Sequence, residues 1–462
     1  MQPELIENRV LAEIRIGDRA VLEKTVRRED IDLYAVLSGE SGSDRAGSGA
    51  ARLLAPATFG ASLISTIIAT MLPGLGSVQR EQKLDFLKPV ALGDILTAAL
   101  TVTEKDERTH AVTFDCRVVN QAGDLVVSGS VVAIAAVEKI SHQRLDAPDV
   151  RFSRHERFRD LMEQAASDTP PLTAIVHPCS AAAIGAAIEA AEARLIRPIL
   201  VGPRAKILKA AEDAHVDLDH YPIIDTLHSD AAAERAVALV STGEAQLLMK
   251  GSLHTDELLH AVLAPESRLR TGRRLSHVYI MDVPTYPRPL LVTDAAVNIA
   301  PDLMAKRDII QNAIDLAHVM GIALPKVAIL SAVETINNKL QSTLDAAALC
   351  KMADRGQITG ALVDGPLAFD NAVSLEAAAE KGITSPVAGQ ADILVVPDLE
   401  AGNILAKQLT FLAGADAAGI VLGAQVPIIL TSRADAERTR MASCAIAALL
   451  ARRKAVAAGQ SS

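Results

Sequence analysis

From residue 171 onward the chain alternates apolar runs of strand length with helical stretches, and this alternation limits the possible folds more than any other feature. PLTAIVHP reads as a strand, SAAAIGAAIEAAEARLI as a helix, RPILVGP as a strand and RAKILKAAEDA as a helix; YPIID, the helix SDAAAERAVALVSTG and AQLLMKG continue the series. Repeated β-α alternation with short loops predicts a parallel sheet with helices on both faces. Composition agrees: half the residues are apolar, only 2% are aromatic and Trp is absent, so the core must be built from Ala, Leu, Ile and Val.

A chain of 462 residues exceeds what one hydrophobic core organises. The expected division is a first domain over 1–140, a linker over 141–160 and a second domain over 161–462. In the first domain, three stretches with period-two apolar patterning, LDFLKPVALGDILTAALTVTEKD, THAVTFDCRVVNQAG and DLVVSGSVVAIAAVEKI, predict an antiparallel sheet, with turn signals at Lys105-Asp106 and Gln121-Ala122-Gly123. Before them, residues 53–79 carry no formal charge, but Pro56, Gly60, Pro73, Gly74 and Gly76 interrupt the run. Its helical part, 58–71, is shorter than the roughly 20 residues a membrane span needs, so it reads as a buried core helix. The linker, SHQRLDAPDVRFSRHERFRD, is polar and arginine-rich, and its His142 and His155 lack metal-ligand partners at useful spacing.

A net charge of -10, with no Lys/Arg block before Arg452 to Lys454, argues against nucleic-acid binding. Cys116, Cys179, Cys350 and Cys444 are far apart and form no CxxC pair, the pattern of buried thiols in a reduced cytosol. The N-terminus shows no apolar signal-peptide core. The expectation is a cytoplasmic protein with neither membrane nor nucleic-acid partner.

Two apolar runs, 393–396 and 427–430, end abruptly in small and charged residues that a core would not select. Ligands of open α/β sheets bind beyond the carboxyl ends of strands, so Asp398, Glu400, Asn403, Lys407, Ser432, Arg433 and Asp435 are expected to converge on one cleft. Lys250, Thr255 and Arg270 follow another strand, and Asp294, Asn298, Asp364 and Asp370 lie at further strand ends. Asp294 and Asn298 equally suit a loop held by Asx hydrogen bonds, Lys407 a plain surface position, and Asp435 an N-cap for the terminal helix. Gly251, Gly365 and Gly402 fall where backbone N–H groups can meet an anion.

MKGSLHTDELL, SHVYIMDVP, VTDAAVNIAPDL, VDGPLAFDNAVS, KGITSPVAGQADILVVPDLEAGNILAKQL and ILTSRAD, in this order, resemble the phosphate acetyl/butyryltransferase family over roughly residues 165–455. The resemblance implies a two-subdomain isocitrate dehydrogenase-like α/β/α fold, a homo-oligomer, and reversible acyl transfer between CoA and inorganic phosphate without metal or organic cofactor, coenzyme A being a substrate. It implies that Ser432 stabilises the transition state and Arg433 binds the phosphoryl group. The Asp that the acetyltransferase branch carries after the serine is Thr439 here, which leaves Asp435 as the candidate base; an expected arginine is His260, which leans toward the butyryltransferase side.

FGASLIST, FLKPVALGDILTA and VTEKDERTHAVTFDCRVVNQAG resemble the MaoC-like, R-specific enoyl-CoA hydratase family, which implies a hot-dog fold. That family's Asp and His positions hold Glu40 and Arg45 here, and an always-protonated arginine cannot serve as the base. A degenerate domain is therefore expected. Hydration of enoyl-CoA through Glu40 and Asp44, and a non-catalytic acyl-CoA-binding oligomer, are the alternatives.

Overall fold

A computed structural model of the protein describes residues 5–39, 53–143, 156–430 and 437–460. The chain forms two compact units, Met1–Phe152 and Ser153–Ser462, so the division falls inside the stretch read as a linker.

The first unit contains β1 (Leu5–Glu7), β2 (Arg19–Thr25), α1 (Arg28–Ser38), α2 (Phe59–Thr70), β3 (Val78–Phe86), β4 (Ile95–Asp106), β5 (Ala111–Val119), β6 (Leu125–Ile134) and β7 (Ser141–Gln143). Strands β2 to β6 make one antiparallel sheet in the order β2-β4-β5-β6-β3. Period-two patterning turns Leu96, Ala98, Leu100 and Val102 of β4 and Val112, Phe114, Cys116 and Val118 of β5 to one buried face. Against that face α2 lays Phe59, Leu63, Ile64, Ile67 and Ile68, each worth roughly 1.5–3 kcal/mol of burial. Gly60 sets the approach, because a Cβ there would stand 2.9 Å from Val127 Cγ2. A sheet wrapped on one long helix is the hot-dog architecture, and the charge-free stretch is its core helix. Among the described residues no helix is long and apolar enough to cross a membrane. Residues 141–143 do not behave as linker: as β7 they pair antiparallel with β1.

The second unit opens with α3 (Glu156–Ala165), β8 (Leu172–Val176), α4 (Ala181–Glu192), β9 (Arg197–Gly202), α5 (Arg204–Ala214), β10 (Ile223–Asp225), α6 (Ser229–Ser241), β11 (Leu247–Lys250) and α7 (Thr255–Leu263). It continues with β12 (Ser276–Asp282), β13 (Leu290–Thr293), α8 (Leu303–Val319), β14 (Lys326–Leu330), α9 (Gln341–Asp354), β15 (Leu362–Leu367), α10 (Phe369–Val373), α11 (Leu375–Glu380), β16 (Ile393–Val395), α12 (Leu399–Leu412), β17 (Asp416–Leu422), β18 (Ile428–Ile429) and α13 (Glu437–Gln460).

These strands form one eleven-stranded sheet, β10-β9-β8-β11-β18-β17-β12-β13-β16-β14-β15. Here the expectation of a parallel sheet is only partly met. β8 to β11 and β18 run parallel, as do β13 to β16, but β17 is antiparallel to β18 and β12, and β12 to β13. Connection length accounts for two of these three pairs: residues 283–289 and 423–427 are too short for a crossover and close hairpins. The two parallel groups consequently point in opposite directions.

Helices cover both faces of the sheet. Helix α13 packs on β17, α3 and α4 through Ala442, Ala445, Ala447 and Ala448, small enough for close contact. Inside it Ser443 Oγ donates to Thr439 O and accepts from Gly419 N. The four cysteines are free, and burial pushes Cys116, Cys350 and Cys444 up to about 12, out of the reactive range.

Candidate active site

The chain leaves β8 toward β9 on one side and reaches β11 on the other, so the crevice beyond the ends of β8 and β11 is a topological switch point. Val176 and Lys250 are register partners there, one step beyond the pairing of Met249 with Ile429 of β18. Three strand ends therefore stand in a row, and Lys250, with only 9% exposure, contributes a nearly buried ammonium to it. The turns beyond are tied together: Gly251 N donates to Val176 O at 2.9 Å, Ser252 N to His177 O at 2.9 Å, and Ser252 Oγ to Ser180 Oγ at 2.8 Å. Only glycine fits at 251, since a Cβ would come within 2.4 Å of Val176 O. Thr255 starts α7 a few residues on, and Ser180 caps α4 by accepting from Ala183 N.

His177 occupies the centre of this frame. Its backbone is left-handed, with φ 52°, and its N–H donates to Val201 O at 2.7 Å. Its ring is half-buried, with Nδ1 inside and unpartnered. Burial lowers the imidazole pKa, the Lys206 ammonium lowers it further, and the Glu257 carboxylate opposes both.

A second polar group lies past the carboxyl end of β13, which runs opposite to β8 and β11. Asp294, just past β13, is buried and accepts from the backbone N–H groups of His277, Ala296, Val297 and Asn298 and from Asn298 Nδ2. Burial raises its pKa and these hydrogen bonds counteract the rise. Asn298 gives its remaining bond to Leu275 O and takes Arg274 Nε at 3.0 Å, so the side chain is fully engaged in holding the loop. Asn403 Nδ2 reaches Ala295 O at 3.3 Å, and Asp398 caps α12 through Ala401 N at 2.9 Å. Lys407 is exposed on α12. Arg270, exposed, bridges to Ala424 at the far end of β17, away from Lys250. Asp364 lies within β15, half-buried, with Oδ1 accepting from Gly365 N. Asp370 is paired with Lys381 at 3.1 Å.

The expected convergence of the two strand tips is thereby corrected. β16 follows the direction of β13, β18 the opposite one, so the end of β16 with Asp398, Glu400, Asn403 and Lys407 faces away from the end of β18. Lys250 and Thr255 share the β8-β11-β18 end of the sheet; Arg270, Asn298, Asn403 and the base of α12 belong to the other. Ser432, Arg433 and Asp435 lie outside the described residues, as do Glu40, Asp44, Arg45 and His155.

Two histidines carry signals that the sequence reading passed over. His177 follows an apolar strand directly and precedes a proline, the position of a strand-end ligand group. His277 interrupts the apolar β12 and is fully buried, its ring edge-on to Tyr279 at 4.4 Å, and burial holds its pKa down at about 3. Among the described residues no three His, Cys, Asp or Glu side chains are placed to hold a metal ion.

Residues 226–448 match the family described as phosphate acetyl/butaryl transferase. The phosphate acetyltransferase of Rhizobium meliloti is 61% identical over 301 residues, 65% of this chain and 95% of that protein. The chain belongs to the phosphate acetyl/butyryltransferase family. The phosphate butyryltransferase of Clostridium beijerinckii is 46% identical over 265 residues, 57% of this chain and 88% of that protein. Among solved structures, a branched-chain phosphotransacylase from Enterococcus faecalis V583 is 32% identical with a TM-score of 0.55, covering 61% of this chain and 99% of that one. The family match lies wholly within the second unit, so the chain joins a hot-dog unit to a phosphate acetyl/butyryltransferase unit.

Proposed function

We infer that the second unit transfers a short acyl group reversibly between CoA and inorganic phosphate. The observation that carries this is the 61% identity extending over 95% of the Rhizobium meliloti phosphate acetyltransferase. Acetyl and butyryl relatives both match, which supports a short acyl group of two to four carbons as the substrate.

In the direction that makes acyl-CoA, the CoA thiol attacks the carbonyl carbon of the acyl phosphate and phosphate leaves. A free thiol, with a pKa near about 8.5, needs a proton acceptor at neutral pH. The departing phosphate needs cations, which fits the nearly buried Lys250 at the end of β11 and the bidentate fork of Arg433. The Ser432 hydroxyl fits a donor to the tetrahedral oxyanion, a contact whose loss typically costs about 3 kcal/mol of barrier. Replacing Ser432 by Ala and Arg433 by Ala tests these roles. Expected are a fall of roughly 100-fold in kcat for the serine and a raised KM for phosphate with the arginine; unchanged turnover in either variant removes that residue from the mechanism.

The same reading takes the protein as a cytoplasmic homo-oligomer. The four free cysteines support a reducing compartment. Helix α12 exposes Ile404 at 57%, Phe411 at 76% and Leu412 at 84%, an apolar face that supports self-association. Light scattering that returns the mass of one chain at working concentration rejects it.

A further inference from the structure

We propose that His177 is the base that takes the proton of the CoA thiol, with Glu257 as the carboxylate that stabilises the resulting imidazolium; the proposal rests on the acyltransferase reading. The position comes first. His177 ends β8 at the switch point, one residue past the row that Val176 and Lys250 share. Its backbone is clamped from both neighbours, by Val201 O of β9 and by Ser252 N after β11, and the left-handed φ leaves the ring little choice of direction.

The second observation is a pair of orphans. Nδ1 of His177 and Oε2 of Glu257, from the first turn of α7, are both buried without a hydrogen-bond partner. Buried polar atoms nearly always find partners, so these two call for an explanation, and the Glu257 charge also acts on the imidazole. With Nδ1 buried, Nε2 is the ring nitrogen left to meet the thiol.

The surroundings suit the task. The charged groups that act on the ring are Lys206 from α5 and Glu257 from α7, and Lys206 also acts on the Cys179 thiol two residues on. Burial and Lys206 keep the imidazole neutral at pH 7, which is the form that can accept a proton. Nε2 takes the thiol proton while the sulfur lone pair forms the C–S bond. The tetrahedral centre then collapses, the C–O bond to phosphate breaks with its electron pair going to phosphate, and the imidazolium passes its proton to the departing phosphate. In the reverse direction the imidazolium returns the proton to the CoA thiolate.

The test is the pH dependence of kcat/KM for CoA with acetyl phosphate, using the full chain. His177→Gln is expected to lower kcat at pH 7 about 100-fold and to abolish the acid limb of the profile. Glu257→Gln removes the charge that raises the imidazole pKa, so its acid limb moves to lower pH; Lys206→Gln removes the charge that lowers it, so its limb moves to higher pH. These opposed shifts stand even if His177→Gln fails to fold. The proposal is overturned if His177→Gln stays within threefold of wild type with an unchanged profile, if neither charge variant moves the limb, or if Asp435→Asn alone removes it. Wild type without turnover sinks the acyltransferase reading and this proposal together, whereas an active wild type matched by His177→Gln removes only the base.

Discussion

Gly251 lies against Val176: its N–H donates to the Val176 carbonyl at 2.9 Å, and a Cβ would meet that oxygen at 2.4 Å and the His177 oxygen at 2.7 Å. The β8 and β11 ends are thus held at a spacing that no side chain can enter.

Gly251→Ala therefore has to push the two turns apart, and both obstructing atoms are backbone. The expected result is a loss of about 1–3 kcal/mol of stability together with at least tenfold lower kcat/KM. Urea unfolding and steady-state kinetics on the same preparation check it; an alanine variant with wild-type values for both shows that the spacing is unimportant.

Asp294 offers a contrasting case past β13, where the polar atoms are all satisfied. Asp294→Asn replaces one carboxylate oxygen by an amide that faces the Asn298 donors. The expected cost is about 2–4 kcal/mol of stability, because buried donors lose their acceptor. Asn298→Ala leaves Leu275 O and Arg274 Nε without this partner but sets no donor against a donor, and is expected to cost less. Chemical denaturation of the two variants ranks them, and the reverse order contradicts the hydrogen-bond assignment.

His277 sets a pH dependence of stability. Its folded pKa is depressed from 6.5 to about 3, so the unfolded chain binds a proton in this interval and the folded one does not. The contribution is complete above the unfolded value and is lost as pH falls through the interval. Between pH 7 and pH 5 the loss from this residue is about 2 kcal/mol. His277→Gln is expected to start less stable but to fall less steeply over that range. Parallel slopes for variant and wild type, read from urea midpoints, contradict it.

Much of this architecture is visible in local patterning. The alternation of Leu96, Ala98, Leu100 and Val102 marks β4, and the apolar runs ending at Val176, Gly202 and Lys250 mark consecutive strands, because side-chain period and burial are properties of neighbouring residues. Strand direction is not such a property. The apolar runs around Ile393 and Ile428 look alike in sequence, yet they belong to opposed groups because three antiparallel pairings, β18-β17, β17-β12 and β12-β13, separate their strands in the sheet. The site divides in the same way. Lys250 was legible as a cation closing an apolar strand, and Asp294 with Asn298 as an Asx-held loop. His177 was not, since the groups that hold its backbone, Val201 of β9 and Ser252 after β11, meet it only in the fold.

The most direct measurement is phosphate-dependent release of CoA from acetyl-, propionyl- and butyryl-CoA, followed with a thiol reagent and matched against acyl phosphate trapped from the same reactions. An acyltransferase releases CoA only when phosphate is present, with one acyl phosphate formed per CoA, for at least one of the three thioesters. Absence of phosphate-dependent release with all three contradicts it.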